Sequence, residues 1–168
     1  NEINDRYGAK EFLVLTYTPK ERMVDESSIK NLLRLKEQIQ QLSWVHSVIT
    51  LLDIPLLSSS DEPLIERLQN YSTLKSKSID KERGFNEILN SPVFRNFVIS
   101  EDGKTSGIIV NIKEKEKLKN IENIPKKEIE KLKDQIKKQN HKNILEIRNV
   151  IESYEDIGEI YLGGIPMI

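Results

Sequence analysis

Cysteine is absent from this chain of 168 residues, which excludes disulfide bonds, thiolate zinc sites and cysteine nucleophiles. Long hydrophobic runs are lacking too. The longest, such as Phe12–Leu15 and Ile108–Val110, have the length of strands and fall far short of the ~20 residues that cross a bilayer. The chain does not open with a basic region and an apolar stretch, so no signal peptide is predicted. The net charge of −1 does not indicate binding to nucleic acid or to an anionic membrane.

Residues that commonly carry chemistry are scarce. The only histidines are His46 and His141, which we place on the outer face of a strand and on a charged helix, so no metal site is predicted. Asp53 is the carboxylate of most interest, and we interpret it as a cap at the end of a strand rather than a general base. Gly163 and Gly164 lack the spacing of a phosphate-binding loop. We therefore expect no catalytic residue, no cofactor and no enzymatic activity.

The hydrophobic pattern alternates between strand and helix periods. It predicts a strand at about 10–18, a helix at about 26–42, a strand at about 45–52, a hairpin of Phe97–Ile99 with Ile108–Val110, a helix from Pro125 to about Tyr154, and a last strand at 160–162. Asp102-Gly103 is the turn signal of that hairpin. The order indicates one α+β domain over 1–168, a ferredoxin-like βαββαβ sandwich of about five strands.

Two stretches depart from this core pattern. Residues 53–93 look like a helical insertion, with short helices at about 61–71 and 80–89. Residues 113–142 form a lysine-rich, charged helical segment without aromatic residues, and Gln139–His141 is expected to kink or break its helix. Pairs four residues apart, such as Lys126–Glu130 and Asp134–Lys138, favour a solvated helix face over a nucleic-acid-binding surface.

The apolar loop Ile54–Leu57 lies at the start of the insertion. Its leucines either fill the core of the domain or line a groove or partner surface. The sequence leaves both interpretations open.

Several short sequence segments, taken in order, resemble those of a known family. They are Tyr7-Gly8 before the strand Glu11–Tyr17, Val45–Leu51, Phe97–Thr105 leading into Gly107–Ile112, Ile144–Arg148 and Ile160–Pro166. Together they resemble the first extracytoplasmic porter domain of resistance-nodulation-division (RND) superfamily transporters, in the lipid-exporter and Patched-like ("predicted exporter") branch. The translocon-assisting branch of the same superfamily fits the strand phrases less well.

The resemblance implies a βαββαβ porter module on the periplasmic side of a prokaryotic cell membrane. It implies a fragment taken from between two membrane spans of a proton-driven exporter of hydrophobic or amphipathic, lipid-like substrates. The proton-relay residues would lie in the membrane helices, and the partners would be those helices and a second porter loop. Leu56 and Leu57 become candidates for the substrate path. The alternative is a free-standing ferredoxin-like domain that senses a ligand or mediates assembly.

Overall fold

A single antiparallel sheet organises the chain. The computed structural model describes residues 11–114 and 124–163. Its four strands are β1 (Phe12–Pro19), β2 (Val45–Ile49), β3 (Ser106–Ile112) and β4 (Gly158–Leu162). They are arranged in the order β2-β3-β1-β4, and every neighbouring pair is antiparallel. Strand β1 is therefore one of the two central strands.

Helices connect these strands. They are α1 (Glu26–Gln40), α2 (Leu64–Gln69), α3 (Lys81–Leu89) and α4 (Lys126–Glu152), with short 3₁₀ turns at Leu51–Asp53 and Glu155–Ile157. The long helices α1 and α4 contact each other, and α1 also packs on β2. The order strand, helix, strand, strand, helix, strand confirms the α+β class, with α2 and α3 inserted between β2 and β3.

Alternation along β1 shows which face of the sheet is covered. Leu13, Leu15 and Tyr17 are buried, whereas Val14 and Thr16 on the opposite face are only partly covered. The segment is apolar on both faces in the sequence, but only one face of β1 lies in the core.

The expected fifth strand does not form in the described residues. Of Phe97–Ile99, only Ile99 makes a bridge of strand type, antiparallel to Ser106. Just before it the chain turns tightly: the amide of Val98 donates to the carbonyl of Phe94, and Asn96 has φ +69°. That conformation belongs to a turn and cannot be part of an extended strand. The count of about five strands was therefore too high by one.

Helix α4 corrects a second expectation. It runs without interruption through Gln139–His141, where a break had been predicted. The polar residues there do not end it, because Gln139 and Asn143 pair within the helix, Nε2 to Oδ1 at 2.8 Å. Residues 115–123 of the predicted charged segment lie outside the described residues. No helix in the described parts of the chain is both long and apolar enough to cross a membrane.

The insertion shares the core of the sheet. Four of its buried aliphatic side chains belong to the same hydrophobic cluster as the sheet residues; they are Leu56, Leu74, Ile79 and Ile88. Capping starts α3, because the Asp80 carboxylate accepts from the amides of Glu82 and Arg83. The insertion is therefore joined to the sheet by a common packed interior.

Tyr17 makes the stability of this core dependent on pH. Its hydroxyl donates to the carbonyl of Ser28 at 3.4 Å, and burial raises the pKa of Tyr17 from 10.0 to about 12. Between these values the unfolded chain loses the phenol proton while the folded chain keeps it, so unfolding becomes easier as pH rises. We expect the free energy of unfolding to fall by up to about 2 kcal/mol more in the wild type than in Tyr17→Phe across that range. Denaturant titrations at neutral and alkaline pH measure this difference. Parallel pH profiles for the two proteins would contradict it.

Candidate functional site

The two leucines singled out in the sequence lie in opposite environments. Leu56 is 0% exposed, and its amide donates to the carbonyl of Ser72 at 2.8 Å in an isolated bridge. Leu57 is 41% exposed. Leu56 therefore occupies the core, and Leu57 is the member of the pair that a substrate or partner reaches without rearrangement.

Leu57 belongs to a larger apolar surface on the insertion. Helix α2 buries none of its six residues, and its aliphatic side chains are 60–69% exposed. We call the exposed apolar residues of this part of the insertion the insertion patch; they are Leu57, Leu64, Ile65, Leu68 and Tyr71. Leu64 and Ile65 precede Leu68 by four and three residues, so each of them neighbours Leu68 on the surface of α2. Clustered exposed apolar side chains of this kind mark binding surfaces.

A carboxylate on α3 fixes the loop that carries Leu57. Glu87 accepts hydrogen bonds from the amide of Leu57 at 2.9 Å, the amide of Ser58 at 3.0 Å and the hydroxyl of Ser59 at 2.7 Å. Bonds to an ionised acceptor are stronger than bonds between neutral groups. The backbone at Leu57 is thus held in place by α3 while its side chain stays partly exposed.

Two arginines complete the attachment of the loop. Arg83 donates from Nη2 to the carbonyl of Ser58 at 2.7 Å and from Nη1 to Asp61 at 3.2 Å. Arg67, on α2, donates from Nη1 to the carbonyl of Leu57 at 2.8 Å. This last bond ties α2 to the Leu57 loop, so the helical and loop parts of the insertion patch are physically linked.

Asp53 lies in a 3₁₀ turn after β2 and contributes to a capping box there, in place of the predicted cap at the end of a strand. It accepts from the amide of Thr50 at 2.8 Å, while the Thr50 hydroxyl accepts from the amide of Leu52, forming a capping box for the 3₁₀ turn. Asp53 also pairs with Lys36 of α1, and with Lys75 of the insertion at 3.7 Å. These structural contacts occupy its oxygens and fasten the insertion to α1.

The histidines lie where the sequence placed them. His46 is exposed on β2, and His141 is exposed on α4. His46 borders an open depression of about 630 Å³ with Ser47, Asn111 and Lys113. Within residues 11–114 and 124–163, no group of three or more histidines and carboxylates is placed to hold a metal ion.

Sequence reasoning missed most of the insertion patch. It named Leu57 but left out Leu64, Ile65, Leu68 and Tyr71. Their signal was present, because Leu64 and Leu68 are four residues apart in a helix that starts after Pro63. The core beside this helix is filled by Leu56, Leu74 and their neighbours instead.

Leu56 and Leu57 provide a matched pair for testing this assignment. Replacing Leu56 by alanine leaves a cavity in the core and should lower the free energy of unfolding by about 2–5 kcal/mol. Leu57→Ala should stay within about 0.5 kcal/mol of the wild type, since the side chain is solvent-facing. Urea titrations of the two variants make the comparison. Equal losses in both would show that Leu57 is also a core residue.

Comparison with known proteins adds no relative: no protein-family model matches the chain, and no curated protein matches it.

Proposed function

We propose that the chain is an extracytoplasmic porter domain of a proton-driven RND-type exporter and that the insertion patch lines the path of its hydrophobic or amphipathic substrates. The observation that carries the proposal is the patch itself. Five apolar side chains, 41–69% exposed, lie on a loop and helix fastened by charged hydrogen bonds. A surface that guides lipid-like cargo must offer apolar contacts without collapsing into the core.

The topology supports the fold part of the proposal. The sheet order β2-β3-β1-β4 and the element order βαββαβ are compatible with a ferredoxin-like sandwich, the module that the resemblance implies. The two long helices of the domain are in contact with each other. A domain of this build suits movement as one rigid body against the rest of a transporter.

In this proposal the porter domain and the membrane helices have different roles. The membrane helices of the same transporter supply the proton relay, and a second porter loop completes the path. This domain, on the periplasmic side of the prokaryotic cell membrane, contributes shape and apolar contacts rather than a catalytic residue. Contact with cargo at the patch contributes roughly 25 cal/mol for each Å² of apolar surface removed from water.

Export by the full-length protein tests the proposal. Leu57→Ala and Ile65→Ala should lower efflux of a lipophilic fluorescent probe from cells severalfold while the amount of protein in the membrane is unchanged. Leu145→Ala is the matched control, because Leu145 is similarly exposed (50%) but lies on α4, outside the insertion patch. We expect wild-type efflux for this variant. Wild-type efflux in all three variants would show that the patch does not line the substrate path.

A second function, a free-standing ferredoxin-like domain for ligand sensing or assembly, is favoured by a different surface. Tyr161 and Phe97 are more than half exposed, and Ile49 is 37% exposed near the less covered face of the sheet. The mass and membrane association of the native polypeptide distinguish the two functions. A polypeptide of this size that stays in the aqueous fraction supports the second function and contradicts the first.

A further inference from the structure

Strands β2 and β4 lie at the two ends of the sheet, so each has one edge without a neighbouring strand. Such an edge presents amides and carbonyls that pair readily with another extended chain. In β2 a side chain occupies this edge, because Gln40 of α1 donates from Nε2 to the carbonyl of His46 at 3.2 Å and accepts at Oε1 from the amide of Val48 at 3.1 Å. A bulge between Val45 and Ser47 disturbs the strand further. The edge of β2 is thus closed to pairing.

The outer edge of β4 is open in the described part of the chain. Gly163 donates to the carbonyl of Val14 at 2.8 Å, and the register between β1 and β4 continues from this pair. Because hydrogen-bonded pairs alternate along an antiparallel sheet, the amides and carbonyls of Ile160 and Leu162 point away from β1. No other described strand or side chain bonds to them. Strand β4 also contains neither a proline nor a bulge, two features that commonly block an edge.

The chain around β4 is acidic. Between Val150 and Leu162 it contains no lysine or arginine and has four exposed carboxylates, which are Glu152, Glu155, Asp156 and Glu159. None of them forms an ion pair with a described residue. A second copy of the chain paired through β4 would add the same negative charge to the interface, whereas a basic segment would neutralise it. Charge therefore favours a basic partner.

We propose that the outer edge of β4 binds a basic, extended segment of a partner protein, which joins the sheet as an additional strand antiparallel to β4. Main-chain hydrogen bonds to Ile160 and Leu162 supply affinity in this mode of binding, and the alternate side chains supply specificity. The inference concerns a contact between proteins and does not rest on the proposed function.

The two sides of β4 define the sequence pattern of that segment. Ile160 and Leu162 are partly buried against the hydrophobic core, whereas Glu159 and Tyr161 are exposed on the other side of the strand. Residues opposite Ile160 and Leu162 bring the bonding amides, and apolar side chains there extend the packed surface. The residues between them lie beside Glu159 and Tyr161, where a lysine or arginine meets a carboxylate and an aromatic ring. The preferred segment therefore alternates apolar and basic residues.

Peptides that differ in charge or in one set of amides test the proposal. The probe is a short peptide with blocked ends in which lysine and valine alternate, titrated into the isotope-labelled full chain and followed by NMR. We expect a peptide with glutamate in place of lysine to bind at least about tenfold more weakly. N-methylation of the valine amides, which face β4, should weaken binding by a similar factor because it removes backbone hydrogen bonds. N-methylation of the lysine amides, which face away, should leave the affinity unchanged.

Hydrogen exchange in the same samples locates the contact. The amides of Ile160 and Leu162 should exchange quickly in the free chain and slowly with the peptide, whereas the amide of Tyr161, which faces β1, should be protected in both. Glu159→Lys should shift the preference to the glutamate peptide. Glu130→Lys, the same change at an exposed position near the start of α4, should leave the preference intact. Thermal unfolding shows that both variants are folded.

Other occupants of the edge give different results, each of which would overturn the inference. Binding that is insensitive to N-methylation of the valines would show attraction by charge alone, and absence of binding would remove the edge as a peptide site. Slow exchange of Ile160 and Leu162 in the monomeric free chain would show that other residues of this chain already cover the edge. Slow exchange that appears only as the chain self-associates would identify a second copy as the occupant.

Discussion

The burial of the insertion's aliphatic side chains in the core of the sheet is the constraint on which the rest of the structure depends. Leu56, Leu74, Ile79 and Ile88 share one hydrophobic cluster with Leu15 and Ile108 of the central strands. Without this packing, the long segment between β2 and β3 would be a loop without contacts to the core. Packing these side chains into the core makes that segment a part of the domain with a defined outer surface.

The opposite directions of the Leu56 and Leu57 side chains determine part of that outer surface. With Leu56 directed inward, its neighbour Leu57 faces solvent, and the polar backbone between them needs partners. Glu87 and Arg83, one turn apart on α3, provide these partners to the loop. The charged residues of the insertion thus fix where its apolar residues are displayed.

The sequence predicted the long helices and the first strand well because their hydrophobic patterns repeat over many residues. Helix α1 and strand β1 were located to within two residues, and Pro125 marked the start of α4. The prediction of a strand at Phe97–Ile99 was wrong because local apolar character does not reveal the positive φ of Asn96 or the turn after Phe94. Tertiary contacts decided these cases.

The candidate site was only partly predictable. The sequence indicated the apolar loop but could not choose between Leu56 and Leu57, since two adjacent leucines look alike until the backbone direction is known. Asp53 was predicted to cap the end of a strand; it has a structural role, but in the capping box of a 3₁₀ turn whose N-cap is Thr50. The hydrogen bond from Arg67 to the Leu57 carbonyl depends on how the loop and α2 are placed in space, which the sequence does not reveal.

Amide hydrogen exchange under native conditions tests the shared core most directly. If the insertion and the sheet have a common interior, the amide of Leu56, bonded to the Ser72 carbonyl, should be protected nearly as strongly as the amides of β1 and β3. The exposed helix α2 should exchange sooner. Fast exchange at Leu56 alongside slow exchange in the sheet would mean that the insertion opens on its own, and it would contradict a common interior.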